Sequence, residues 1–272
     1  MTPRLKVMGT TVVRGKNLLG QDATLTIDPT DQPGWFWCVD GEDIPITTAI
    51  VDLKLRRLRF VYGSHRLNGV EHILALGQMG VDSARISCTH AWPPYDGRAE
   101  ALRSEIASHL AARGILLPTY AKESIRCTNG RKKVEYIPFP RDRLNVEVSV
   151  KYAGIGGIVI RRSFAGGLDQ KLCRARTISV WPAPLCWILK RLPTRIWPHY
   201  DKTYWLGEHY PHEVLEEIAL HRVLDMFGAI KLILPPGKVF VGTLRSHLAG
   251  HALDIALLRE IERVGLDEEF AW

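Results

Sequence analysis

The sequence predicts an α+β fold in two parts. Strand-like runs fill the first ~60 residues, two later segments carry apolar residues at helical spacing, and each half runs from strands into helices. That order favours sheets covered by helices over a parallel βαβ array. Ala23-Thr24-Leu25-Thr26-Ile27 alternates and stops at Asp28-Pro29, as a half-buried strand does. A second alternating run spans Val51 to Val61, with Val51, Leu53, Leu55 and Leu58 apolar and basic residues between them. Asn68-Gly69 then breaks the chain. Val70, Ile73, Leu74 and Ala75 predict a helix from Val70 to Met79. A strand at Ala84 to Cys88 and a helix from Arg98 to Arg113 follow, with Gly114 as the helix stop and Pro118 as a break.

The second half repeats this order. Thr128-Asn129-Gly130-Arg131, between Ile125 and Val134, signals a hairpin. Strands are expected at Val146 to Val150 and Ile158 to Ile160, before a Trp- and Pro-rich stretch from Trp181 to Trp205. A helix from His212 to Phe227 should end at Gly228. Lys231 to Leu234 reads as a strand, Pro235-Pro236-Gly237 as a turn, and Leu248 to Val264 as the last helix. The expected domains are residues 1–117 and 119–272, the second with a Trp/Pro-rich insertion near 181–206. No internal repeat is strong enough to establish duplication.

The 272 residues, 46% of them hydrophobic, suffice for one large or two small cores. No stretch of about 20 apolar residues occurs, so no spanning helix is expected. Met1 to Val12 lacks an apolar run of signal-peptide type. The five cysteines are widely spaced without a C-x-x-C pair, which fits reduced thiols in a cytoplasmic protein. The formal charge is +7, with basic clusters at Lys54-Leu55-Arg56-Arg57-Leu58-Arg59, Arg131-Lys132-Lys133 and Arg161-Arg162. These read first as solvated strand faces; an anionic substrate or peripheral contact with an acidic membrane is also compatible. No nucleic-acid motif accompanies the charge, so no nucleic-acid partner is expected.

Three places could carry chemistry. His221 and Asp225 stand four apart in an expected helix, so imidazole and carboxylate leave one face, half of a zinc site. An ordinary helix-surface hydrogen bond would use the same spacing. Glu71-His72 opens another helix, where neighbours point about 100° apart. One can bind a metal while the other reaches a water on it, the division a hydrolytic site requires. Gly250-His251 precedes the last helix, and the glycine leaves room beside the imidazole.

In combination these residues resemble a known family. Val70-Glu71-His72-Ile73-Leu74 resembles the T-V-E-H-I/L-L segment of the UDP-3-O-acyl-N-acetylglucosamine deacetylases, the zinc amidases of lipid A biosynthesis. The run from Glu217 through His221, Arg222 and Asp225 to Gly228 is similar to their E-x-x-x-H-K-x-x-D-x-x-G helix. Ala249-Gly250-His251-Ala252-Leu253 resembles G-G-H-x-L, Ala175-Arg176-Thr177 resembles A-R-T-F, and Pro94-Tyr95-Asp96-Gly97 resembles P-I-x-D-G. The matches keep the family's order and touch most of the chain.

The resemblance implies two similar α+β domains, each a sheet packed on two helices, with the active site between them. It implies His72, His221 and Asp225 as ligands of Zn2+, or of Fe2+ in its place. Glu71 becomes the general base, His251 the general acid and Thr177 an oxyanion donor, with Arg222 and Ile178 at substrate-facing positions. The reaction implied is hydrolysis of an N-acetyl or other N-acyl amide on an amino sugar, UDP-linked or lipid-linked. Several family features are changed. The N-terminal G-x-G-x-H motif has no histidine in Gly15-Lys16-Asn17-Leu18-Leu19-Gly20, Arg222 replaces lysine, Ile178 replaces phenylalanine, and Ala229 replaces an aspartate. The substrate side is thus more divergent than the metal side. An amidase for a non-sugar N-acyl compound and a non-catalytic metal-binding relative are the alternatives.

Overall fold

A computed structural model describes residues 1–17, 19–54, 57–94, 99–139, 142–152, 156–175 and 210–267. Its architecture is α+β, with sheets outside and helices between them. The first half opens with β1 (Pro3–Val7), β2 (Thr11–Lys16), β3 (Asp22–Asp28), β4 (Trp35–Val39) and β5 (Glu42–Pro45). A small three-stranded sheet follows: β6 (Val51–Lys54), β7 (Arg57–Tyr62) and β8 (His65–Asn68). Next come α1 (Glu71–Gln78), β9 (Val81–Cys88), α2 (Glu100–Ala107) and β10 (Leu110–Ile115). The first sheet runs β10-β1-β9-β3-β2, with β4 also paired to β9 and carrying β5. Strand β3 buries Ala23, Leu25 and Ile27 on one face, the period of two read from the sequence.

The second half holds β11 (Leu117–Ala121), β12 (Ile125–Asn129), β13 (Lys132–Ile137), β14 (Leu144–Tyr152) and β15 (Gly156–Phe164). The helices α3 (Gln170–Arg174) and α4 (His212–Lys231) precede β16 (Lys238–Phe240) and β17 (Gly242–His247), and α5 (His251–Val264) and β18 (Leu266–Asp267) complete the described fold. The second sheet runs β12-β13-β17-β14-β15. Helix α4 packs on β14 and β15, and α5 on β12 and β13. Strand β11 pairs with β16 and β18.

The two layers meet where α1 crosses α4. Every residue of α1 is buried, so the helix has no solvent face. Its end is pinned to the second half: the Gln78 amide nitrogen donates to Phe240 O at 2.8 Å, and Phe240 N donates to Gln78 Oε1 at 3.1 Å. Gly228 permits the close crossing. A Cβ there would lie 2.1 Å from the Glu71 carbonyl oxygen, so α4 rests directly on the first turn of α1. One buried cluster runs through both sheets and these helices.

Several sequence expectations change. The run from Val51 to Val61 is a hairpin of β6 and β7, with Leu53 opposite Leu58, rather than one strand. The helix expected to reach Arg113 stops at Ala107, because Leu110–Ile115 pairs with β1. Gly114, at φ 101°, lies in an irregularity of that pairing and is no helix stop. Helix α4 passes through Gly228 to Lys231, since the glycine serves interhelical contact instead of termination. The strand expected at Lys231 to Leu234 is therefore the helix end and a turn, closed by Leu232 N to Ala229 O and Ile233 N to Ile230 O. Leu248 to Gly250 lead into α5, with Leu248 at φ 51° and Gly250 extended. The Trp-rich stretch lies outside the described residues.

Candidate active site

Three helices deliver the site. The first turn of α1 carries Glu71 and His72, the middle of α4 carries His221, Arg222 and Asp225, and the first turn of α5 carries His251 and Asp254. Asp225 is the hub. Its Oδ1 lies 3.7 Å from His72 Nε2 and 3.7 Å from His221 Nε2, while its Oδ2 lies 3.7 Å from His251 Nε2. The ligand atoms of His72, His221 and Asp225 all fall within 4.8 Å of one another, and so do those of Glu71, Asp225 and His251. The rings of His72 and His221 meet edge to face, with centroids 4.8 Å apart at 89°.

Backbone contacts orient these groups. His221 Nδ1 donates to Ala175 O at 3.1 Å, which leaves Nε2 as the nitrogen with the lone pair. Burial lowers the His221 pKa to about 4, with His72 and Arg57 acting the same way against Asp225 and Ala175 O, so the ring is neutral at pH 7. Burial alone would raise the Asp225 carboxyl, but His251, His221 and His72 outweigh it and hold the group below the usual carboxylate range. Glu71 is 1% exposed. Its carboxylate accepts from Leu58 N at 3.2 Å through Oε2 and from Arg57 Nη1 at 3.2 Å through Oε1. A buried glutamate with two donors is held as a rigid carboxylate facing Asp225 and His251.

A metal ion fits this donor set. Two imidazoles and one carboxylate, on rigid helices, match the protein ligands of an open hydrolytic zinc centre. Tetrahedral bonds of about 2.0–2.1 Å place neighbouring ligand atoms roughly 3.3–3.5 Å apart. The observed 3.7 Å separations are close to that and longer than an ordinary hydrogen bond.

Arg57 was not singled out by its sequence context. The cluster from Lys54 to Arg59 read as a solvated strand face, yet Arg57 turns inward from β7 onto Glu71, its side chain 19% exposed. No periodicity marks it, because the contact depends on where the small sheet lands. Arg222, expected to face a substrate, places both terminal nitrogens on Asp254. Thr177 and Ile178 lie outside the described residues. The other basic clusters follow the first expectation: Arg161 pairs with Glu147 and Arg162 with Glu216. Cys38, Cys88, Cys127 and Cys173 are free thiols.

The chain is distantly similar to known deacetylases. It is 27% identical over 226 residues to a UDP-3-O-acyl-N-acetylglucosamine deacetylase of Vibrio cholerae serotype O1, covering 76% of this chain and 69% of that protein. A protein of the same name from Vibrio vulnificus is 25% identical over 225 residues, with the same coverage. No protein-family model matches the chain. The similarity supports a divergent relationship to these deacetylases. Among the described residues, no helix is long and apolar enough to cross a membrane.

Proposed function

We propose that this chain is a metal-dependent amide hydrolase that removes an N-acyl group, acetyl in the simplest case, from an amino sugar that is UDP-linked or lipid-linked. The observation that carries the reading is the meeting of His72, His221, Asp225, Glu71 and His251 around one point at the junction of three helices. The distant deacetylase similarity supports the substrate class. In this reading residues 1–117 and 119–272 are the two domains, and the site lies between them.

His72, His221 and Asp225 would hold one Zn2+, or Fe2+. Bound there, such an ion supplies Lewis acidity and makes a water nucleophilic at neutral pH. The remaining work belongs to the chain. Glu71, fixed by Leu58 N and Arg57, accepts the proton of the attacking water at a carboxylate oxygen. Attack on the acyl carbon breaks the carbonyl π bond. Collapse of the tetrahedral species breaks the C–N bond, and His251 donates a proton from Nε2 to the departing amine. Thr177 would donate to the developing oxyanion. Burial of the site excludes bulk water and keeps these dipoles aligned.

The test is acid release from a panel of N-acyl amino sugars and matched non-sugar N-acyl amines. Release from the sugars alone supports the reading. Equal release from both classes would replace it with a general amidase, and none from either would remove the enzymatic reading.

A further inference from the structure

Behind His251 lies a buried ion pair that the steps above do not use. Arg222 Nη1 donates to Asp254 Oδ2 at 2.7 Å, and Nη2 donates to Asp254 Oδ1. The two residues are 5% and 3% exposed. Asp254 follows His251 by three positions, so both stand on one face of α5. Asp254 Oδ2 lies 3.7 Å from His251 Nδ1, a buried nitrogen without a hydrogen-bond partner among the described residues. The other nitrogen of the ring faces Asp225. The imidazole therefore stands between two carboxylates, one belonging to the ligand set and one clamped from behind by a guanidinium.

We propose that Asp254, held in plane by Arg222, is the positioning residue of His251: it accepts from Nδ1–H and so aims Nε2 at the reacting groups. An acceptor at Nδ1 fixes the ring plane, and so the direction in which Nε2 gives up its proton. A small ring rotation closes 3.7 Å to hydrogen-bond length. Arg222 matters because its planar fork fixes both carboxylate oxygens at once, which a single donor would not do. This role rests on the reading of His251 as proton donor.

The experiment is NMR of 15N-histidine-labelled, metal-loaded full chain, with His251 assigned from the signal lost in His251→Ala. Two variants are compared with wild type. Asp254→Asn weakens the clamp while keeping its shape. Arg222→Met/Asp254→Leu removes both charges together and leaves neither buried alone. Wild type should show a slowly exchanging, downfield-shifted His251 Nδ1–H proton, and both variants should lose that signal. Acid release should lose roughly 10–100-fold in kcat with KM and metal content unchanged. An imidazole signature identical in wild type and both variants would overturn the proposal and leave the ion pair a structural element. A wild type that hydrolyses no substrate overturns the functional reading, while the NMR signature still decides the clamp.

Discussion

Replacing Gly228 by alanine should loosen the whole site through one methyl group. The added carbon would lie 2.1 Å from the Glu71 carbonyl oxygen, 2.7 Å from its carbon and 2.8 Å from its Cα. All three are backbone atoms at the start of α1, so no side chain can swing away. Restoring an ordinary carbon–oxygen contact requires α1 and α4 to part by roughly 1 Å at the crossing. Overpacking of this kind costs about 1–3 kcal/mol, while the better helix propensity of alanine returns up to about 1 kcal/mol. With three backbone contacts under 3.0 Å the cost falls at the upper end, and the expected net loss of about 1–2 kcal/mol lowers Tm by roughly 2–8 °C in a domain of this size. The crossing also sets the spacing of the proposed ligands, since His72 is on α1 while His221 and Asp225 are on α4. Parting the helices should therefore weaken metal affinity at least tenfold. The assays are thermal unfolding and zinc titration against a competing chelator. Gly250→Ala is the control: nothing lies within 4 Å of its added carbon, and its stability should stay within about 1 kcal/mol of wild type. A Gly228→Ala protein with unchanged Tm and zinc affinity would refute the close-crossing argument.

Glu71→Gln should keep its metal while turnover falls by roughly 10²–10⁴, the scale of a lost general base. Metal loss in that variant would make Glu71 a ligand instead. Lys231, at the end of α4, is 6% exposed, and burial lowers its pKa to about 8 against a partial opposing effect of Asp82. Between about pH 8 and 10.5 the unfolded chain thus binds more protons than the folded one, so stability should rise with pH across that window. Lys231→Met should abolish that rise and stabilise the protein at pH 7 by about 1–3 kcal/mol, read from urea midpoints. A methionine variant less stable than wild type at pH 7 would show that the amine makes a compensating contact.

The candidate site was legible where side-chain grouping follows local spacing. His221 and Asp225 share a helix face by their four-residue interval, and Glu71-His72 opens α1 where the apolar pattern places a helix start. The pairing of these helices was suggested by family resemblance and not by periodicity. What stayed illegible depends on contacts distant in sequence. Gly228 reads locally as a stop, and the reason it is not one sits 157 positions away at Glu71. Arg57 reads as a solvated base until β7 is laid beside α1. Leu110–Ile115 has a helix-compatible composition and becomes a strand because β1 offers an open edge. Asp254 stands three residues after His251 on one helix face, but the fork of Arg222 that grips it was visible only in three dimensions.

Metal content of the purified protein tests the central claim most directly, since every assigned role is built around one ion held by three side chains. Elemental analysis of wild type, His72→Ala and Asp225→Ala, each checked for native secondary structure, is the measurement. About one zinc or iron per wild-type chain is expected, with most of it lost in both variants. Full metal retention in both folded variants would contradict the site.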